Sequence, residues 1–247
     1  AEQIIKAANC ELYTYSEESK EADFVASDIR YVSQPDFVGT EFHISGKYDM
    51  EVRLGIPGLF NVVNALAAVS VCSFLGLDQA RISHALENIR VNGRMEIVYT
   101  SERCTVLVDY AHNAVSMESL LSTLRDYKPK RLVCVFGCGG NRSKDRRYSM
   151  GEIGGKMADL SIITADNSRY EKVEDIIADI RGSIEKTGGK FIEIPDRREA
   201  IRYSILHAQP GDMVAVIGKG HEDYQEIKGK KYPMDERVLI ADILAGK

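Results

Sequence analysis

Arg131-Leu-Val-Cys-Val-Phe-Gly-Cys-Gly-Gly-Asn-Arg142 joins a short apolar run to a glycine-rich turn, and a helical pattern follows from about Arg147 to Met157. A strand passing through glycines into a helix is the repeating unit of an α/β sheet. The unit recurs on both sides of this stretch. Further strands are expected at Thr105-Val-Leu-Val-Asp109, Leu160-Ser-Ile-Ile-Thr164, Lys190-Phe-Ile-Glu-Ile194 and Met213-Val-Ala-Val-Ile217. Helices are expected between them, at about Ser116–Tyr127, Val173–Lys186 and Arg197–His207. Short apolar strands separated by helices imply a Rossmann-like, mostly parallel sheet with helices on both faces.

Upstream of Gly93 the pattern differs, which places a domain boundary there and divides the chain into 1–92 and 93–247. The first 55 residues form short β-type runs, among them Glu11–Tyr15 and Glu41–Ser45, with a hairpin turn at Ser45-Gly46-Lys47. Gly55-Ile-Pro-Gly58 breaks the chain. Asn61–Leu75 is rich in Ala and Val and predicts a well-buried helix. A second helix begins near Asp78, a natural N-cap, with Ala80, Ile82, Ala85, Leu86 and Ile89 along one face.

Composition excludes several classes. A net charge of -5 and a pI near 5.7 leave no basic footprint for nucleic acid. The longest apolar stretch, around Ala65–Leu77, is too short and too interrupted by serines and glycine to span a bilayer. Ala1-Glu2-Gln3-Ile4 has no basic segment leading into an apolar one, so no export signal is expected and the location is read as cytoplasmic. The five cysteines, Cys10, Cys72, Cys104, Cys134 and Cys138, are scattered and mostly set among apolar residues. They are read as buried thiols, with no metal site.

An α/β sheet places ligands beyond the carboxyl ends of its strands. Those ends carry Asp109-Tyr-Ala-His112, Gly137-Cys-Gly-Gly-Asn-Arg142, Asp166-Asn-Ser-Arg169 and Gly218-Lys-Gly-His-Glu222, and all four are expected to open onto one rim. Glycines ahead of a helix let backbone amides approach an anion. Arg142 and Arg169 can each hold a carboxylate in two-point fashion, and Glu222 can receive an ammonium. Together they suggest a zwitterionic amino acid as ligand. His112 beside Asp109 could move a proton, contact phosphate or complete a buried network. No G-x-S-x-G or H-E-x-x-H motif occurs, which disfavours hydrolase and metalloprotease chemistry, and no catalytic residue is assigned.

Taken in order, Gly58-Leu-Phe-Asn61-Val-Val-Asn64-Ala-Leu-Ala-Ala68, Gly93-Arg-Met-Glu96, Asp109-Tyr-Ala-His112, Phe136-Gly-Cys-Gly-Gly140 and Gly218-Lys-Gly-His-Glu-Asp-Tyr-Gln225 resemble the Mur ligases, most closely the tripeptide-forming, diamino-acid-adding branch. The resemblance runs over nearly the whole chain. It implies an ATP- and Mg2+-dependent ligase of peptidoglycan-precursor synthesis, monomeric when full-length, that adds a diamino acid to a UDP-linked muramoyl dipeptide through an acyl phosphate. By the same resemblance, Asn61, Asn64, Arg94, Asp109 and His112 fall on ATP-handling positions. Arg142, Asp166, Asn167, Ser168, Arg169, Gly218 and Glu222 fall on amino-acid-binding positions. Arg169, usually replaced in the lysine users, favours meso-diaminopimelate. Ser168 departs from the family's Asp-Asn-Pro-Arg pattern, and Asn113-Ala114 departs from the usual proline after the Asp-Tyr-Ala-His run.

No G-x-x-x-x-G-K-[ST] occurs in the chain. The phosphate loop, the modified lysine and most magnesium ligands of the family are expected upstream of Ala1, so this chain is expected not to turn over ATP by itself. Residues 1–92 are then part of a central ATP-binding domain, and 93–247 an amino-acid-binding domain with a complete strand set. Other readings are a lysine-adding ligase, a folylpolyglutamate or cyanophycin-type synthetase, a non-catalytic binding module, and a nicotinamide-dependent oxidoreductase, the last opposed by the missing G-x-G-x-x-G.

Overall fold

The computed structural model describes residues 6–246, and the stretch Ala1 to Ile4 read for an export signal lies outside them. The described residues divide into two compact units, 6–33 with 38–90 and 34–37 with 91–246.

In the first unit β1 (Tyr15–Ser16), β2 (Phe24–Gln34), β3 (Phe37–Gly46) and β4 (Met50–Leu54) form one sheet in chain order. The β3–β4 pair is antiparallel and turns just after Gly46, as the hairpin signal predicts. Helices α1 (Leu59–Phe74) and α2 (Gln79–Asn88) follow. Their residues Val62, Leu66, Val69, Ile82 and Leu86 share a core with Phe24, Phe42, Ile44, Val52 and Leu54 of the strands. Asp78 does cap α2, its Oδ1 accepting from the Arg81 amide at 3.1 Å.

Three expectations for this unit are corrected. Glu11–Tyr15 is not a strand beyond its last residue. Thr14 instead exchanges three local hydrogen bonds with Asp23, from its amide and hydroxyl to Asp23 Oδ2 and from the Asp23 amide to its Oγ1, the side-chain competition that draws backbone away from a ladder. Helix α1 is buried on one face only, since Val71 and Phe74 on its other side are 59% and 61% exposed. On α2, Ile82 and Leu86 are buried, whereas Ala80, Ala85 and Ile89 face solvent.

The second unit holds a six-stranded sheet ordered β5-β6-β10-β7-β8-β9. Strands β5 (Glu96–Thr100) and β6 (Cys104–Asp109) pair antiparallel. Helix α3 (Ala114–Asp126), β7 (Arg131–Phe136), α4 (Asp145–Met157), β8 (Leu160–Ile163), α5 (Val173–Thr187), β9 (Phe191–Glu193), α6 (Arg197–Leu206) and β10 (Asp212–Ile217) follow. All pairings from β6 through β9 are parallel. The chain ends with the hairpin β11 (Tyr224–Ile227) and β12 (Lys230–Pro233) and helix α7 (Glu236–Leu244). Alternate residues of the central strands, Val106, Val108, Val133, Val135, Val214 and Val216, share one cluster with Ala200, Ile201 and Ile205 of α6 and Ile240 and Ile243 of α7. Their neighbours Leu107, Cys134, Phe136 and Ala215 are equally buried and point the other way. There α4 lies so close that a Cβ on Gly154 would stand 2.9 Å from the Phe136 ring. Helices thus cover both faces, and the strand ends are left as the open rim.

Among the described residues no helix is long and apolar enough to cross a membrane, and no group of three or more His, Cys, Asp or Glu is arranged to hold a metal ion. Cys104, Cys134 and Cys138 are buried, Cys72 is half-buried, and Cys10 is exposed, against the expectation of a buried thiol there. Burial pushes the Cys138 thiol up to about 12, with Asp166 adding to the effect.

Candidate functional site

All four strand-end loops meet at one cavity of about 320 Å³, lined by Tyr110, His112, Gly139, Arg142, Arg146, Asp166, Asn167, Arg169, Gly218 and Glu222. The expected single rim is therefore real within this unit. Of the residues read from sequence, His112, Arg142, Asp166, Asn167, Arg169, Gly218 and Glu222 line the cavity, while Ser168 is buried beside it. Arg94 and Asp109 belong to the same unit but do not line it. Asn61 and Asn64 belong to the first unit, on α1.

Asn167 is the hub. Its Nδ2 donates to Glu222 Oε2 at 2.9 Å, and its Oδ1 accepts from the Glu226 amide at 2.8 Å and from Lys219 Nζ at 3.2 Å. Lys219 is 0% exposed and also reaches Glu222 Oε2 at 3.2 Å. Arg169 has left-handed backbone (φ +51°) and donates through Nη1 to the Gly140 carbonyl at 2.7 Å, with Nε facing Glu226 Oε2 at 3.4 Å. One arginine thereby fastens the glycine loop to the Asp166 loop. Gly218 also has positive φ (+113°), and a Cβ on it would lie 3.2 Å from Asp166 Oδ2, so glycine keeps that carboxylate uncrowded.

Arg142 and Arg146 are different. Among the described residues neither guanidinium has a hydrogen-bond or ion-pair partner, and both face the cavity. Three guanidinium groups and two carboxylates therefore line one small space. Such a lining suits a zwitterion with an additional carboxylate.

Asp109 is occupied by its own backbone. Its Oδ2 accepts from the Met95 amide and its Oδ1 from the Ala111 amide, both at 2.7 Å. Burial pushes this carboxyl above the usual carboxylate range, and the two amides and Arg94 only partly offset it. A raised folded-state value means the native state holds the proton longer than the unfolded chain does. The stability linked to Asp109 is thus fully present below its unfolded pKa of about 3.9 and is lost as pH rises through the higher folded value. In Asp109→Asn the amide offers only one acceptor to two buried N–H groups, which costs about 1–3 kcal/mol. Thermal melts should show the wild type's advantage over that variant largest near pH 4 and shrinking towards pH 7. A gap that widens with pH would contradict this.

Tyr110 links the rest. The Arg94 guanidinium lies 4.9 Å over its ring, and His112 and His221 pack against it with centroids at 4.8 and 5.4 Å. His112 Nδ1 is 2.8 Å from the Tyr110 carbonyl, which fixes the ring and leaves Nε2 for the cavity. On α1, Asn61 Nδ2 donates to the Pro57 carbonyl at 2.7 Å, and Asn64 Nδ2 to Asn61 Oδ1 at 3.2 Å.

Sequence reasoning missed Arg146, Tyr110 and the part played by Lys219. Arg146 lies four residues after Arg142, which sits in the loop just before α4 begins. The nearness of the two in sequence, at the start of a helix, was the available signal. Nothing in the sequence distinguished Lys219 from a solvated surface lysine.

The fold and this rim define a class. A family model described as Mur ligase, glutamate ligase domain, matches residues 93–220, and one described as Mur ligase middle domain matches residues 1–72. The chain belongs to the Mur ligase family. Its relatives include the UDP-N-acetylmuramoyl-L-alanyl-D-glutamate–2,6-diaminopimelate ligases of Caldanaerobacter subterraneus subsp. tengcongensis, 46% identical over 79% of this chain and 40% of that protein, and of Syntrophomonas wolfei, 39% identical over 100% of this chain and 50% of that protein. A solved structure of a ligase of the same name superposes with a TM-score of 0.78 at 33% identity, covering 99% of this chain and 51% of that one. A folylpolyglutamate synthase from Thermotoga maritima shares the fold alone, at TM-score 0.65 and 22% identity over 88% of this chain and 47% of that one. The chain spans about half or less of the length of the curated relatives it matches.

Proposed function

We propose that this chain carries the amino-acid site of an ATP-dependent ligase that adds meso-diaminopimelate to the D-glutamate carboxylate of UDP-N-acetylmuramoyl-L-alanyl-D-glutamate. The observation that carries this reading is the pair of uncommitted guanidiniums, Arg142 and Arg146, sharing one cavity with Arg169, Asp166 and Glu222. meso-Diaminopimelate has two carboxylates and two ammonium groups, whereas lysine has one carboxylate and would leave one of these guanidiniums unmatched. The names of the relatives support the same amino acid.

In this reading Arg142 and Arg146 hold carboxylates, Arg169 holds the two loops and completes the cationic wall, and Glu222 with Asn167 receives an ammonium. Gly218 and Ser168 shape the floor, and Asp166 supplies a second acceptor. Holding the amine in place is the main contribution of these side chains to amide formation, since an acyl phosphate already provides the leaving group. Residues 93–247 form the amino-acid-binding domain and 1–92 part of the ATP-binding domain. Asn61 and Asn64 suit an adenine edge, while Arg94, supported by Tyr110, and His112 suit phosphate. Asp109, with both oxygens bonded to backbone amides, orders the Arg94 segment. The described residues offer no acidic cluster for Mg2+, so no step is assigned to a metal here. Alone, the chain would act as a binding module. In the whole ligase, the dipeptide nucleotide, ATP and the diamino acid are the partners, and the location is cytoplasmic.

Isothermal titration with meso-diaminopimelate and L-lysine tests the reading. The chain is expected to bind meso-diaminopimelate, with affinity falling about 100-fold in Arg169→Ala, which loses both a cation and the bond to Gly140. A preference for lysine would overturn the substrate assignment.

A further inference from the structure

Arg197 and Glu236 lie outside the cavity, yet they join its two most important loops from below. Arg197 is the first residue of α6 and is almost wholly buried, as is Glu236, the first residue of α7. The Arg197 guanidinium donates through Nε to Glu236 Oε1 at 2.5 Å, through Nη1 to the Ala165 carbonyl at 3.1 Å and through Nη2 to the Ile217 carbonyl at 2.8 Å. Ala165 immediately precedes Asp166, and Ile217 immediately precedes Gly218. Strands β8 and β10, which lead into these loops, are not neighbours, because β7 runs between them. No ladder hydrogen bond can therefore span directly from one loop root to the other. A planar guanidinium with donors in a fixed fork can.

Stability alone does not account for the pair. A buried ion pair seldom outperforms apolar side chains of similar volume, because desolvation cancels most of its attraction. Here one oxygen is also left over: Glu236 Oε2 is buried and has no hydrogen-bond partner among the described residues. What the pair does supply is geometry. Its fork spaces the root of the loop bearing Asp166, Asn167 and Arg169 from the root of the loop bearing Gly218, Lys219 and Glu222. The Asn167–Glu222 bond, 2.9 Å long, then closes the two loops on the cavity side.

We propose that Arg197 and Glu236 form a positioning pair that sets the separation of the two ligand-binding loops, and hence the fit of the site to an amino acid with charged groups at both ends. The second half of this statement rests on the proposed amino-acid function, and the first does not. It also implies that α7 influences the site through Glu236 without touching a ligand, whereas the β11–β12 hairpin bonds to Asn167 and Arg169 directly through Glu226.

The test is hydrogen exchange of the amides in 166–169 and 218–222 in the whole chain, with titration by meso-diaminopimelate as a second readout. Arg197→Lys keeps the charge but loses the fork, and Arg197→Met with Glu236→Gln removes both buried charges. Ile205→Ala, on the core face of α6, serves as a control that lowers stability without touching either loop. Exchange in both loops is expected to accelerate about tenfold or more in the two pair variants, beyond what the control shows at an equal fall in melting temperature. Affinity for meso-diaminopimelate should fall about tenfold or more. Loop exchange like that of the wild type, or no faster than in the control, would overturn the proposal. So would failure of both pair variants to fold, since a pair that only orients loops is dispensable for folding. If the wild type binds no meso-diaminopimelate, the amino-acid reading fails while the exchange result still decides the role of the pair.

Discussion

Lys219→Met is expected to weaken meso-diaminopimelate binding about 100-fold and to cost the fold about 2 kcal/mol. Lys219 is the only lysine among the buried described residues, and its ammonium is shared between Asn167 Oδ1 and Glu222 Oε2. Removing it leaves the Glu222 carboxylate without its countercharge and Asn167 with one fewer donor. The stability loss stays below that of a fully buried broken pair because the Glu222 side chain is 18% exposed and water can reach it. Affinity suffers more. The Asn167–Glu222 bond orients the proposed ammonium acceptor, and a carboxylate without its countercharge will turn towards water. Adding Glu222→Gln to Lys219→Met should restore most of the stability, since no charge is then stranded, and should not restore binding. Thermal melts and calorimetric titrations of the wild type and the two variants separate the two effects. Binding within twofold of the wild type in folded Lys219→Met would refute the assignment.

The parallel sheet was legible because its strands are buried on both faces and so form unbroken apolar runs. Arg131–Phe136 was placed to the residue, and the strands ending at Asp109 and Ile217 to within one. Strand β5 and the β11–β12 hairpin were not recovered. Their residues are half-buried or exposed, carry charges such as Lys230 and Lys231, and lack a core pattern. The rim could be foreseen from topology alone, because a parallel sheet brings its carboxyl ends together whatever the loops contain. What remained hidden were contacts made across loops distant in sequence. Arg197 bonds to the backbone of residues 165 and 217, and a carbonyl acceptor leaves no trace in the identity of the residue that bears it. Buried Lys219 was hidden for a related reason: its burial depends on where the Asp166 loop lies.

The glycine loop supplies the second large effect. Gly140→Ala is expected to cost about 2–4 kcal/mol and to reduce meso-diaminopimelate affinity about 100-fold. An added Cβ would stand 2.0 Å from the Ser168 carbonyl oxygen and 2.7 Å from its carbon. Both atoms are backbone, so no side chain can swing aside. Real contacts keep at least 3.0 Å, and the difference from 2.0 Å means that the loops must part by about 1 Å. Two hydrogen bonds span that gap, from the Gly140 amide to the Asn167 carbonyl at 2.9 Å and from Arg169 Nη1 to the Gly140 carbonyl at 2.7 Å. Parting the loops stretches both bonds and moves Arg142 away from Arg169, widening the cationic wall that the proposed ligand must bridge. Gly182→Ala provides the matching control. Gly182 lies inside α5 with nothing within 4 Å of an added Cβ, so the same methyl group should stabilise the fold by roughly 0.5–1 kcal/mol through helix propensity and leave binding unchanged. Opposite signs in thermal melts, with affinity lost only in Gly140→Ala, would show that the close approach of the two loops is the requirement. Equal affinity in both variants would show that the site tolerates the wider gap, and the role given to this loop would then be wrong.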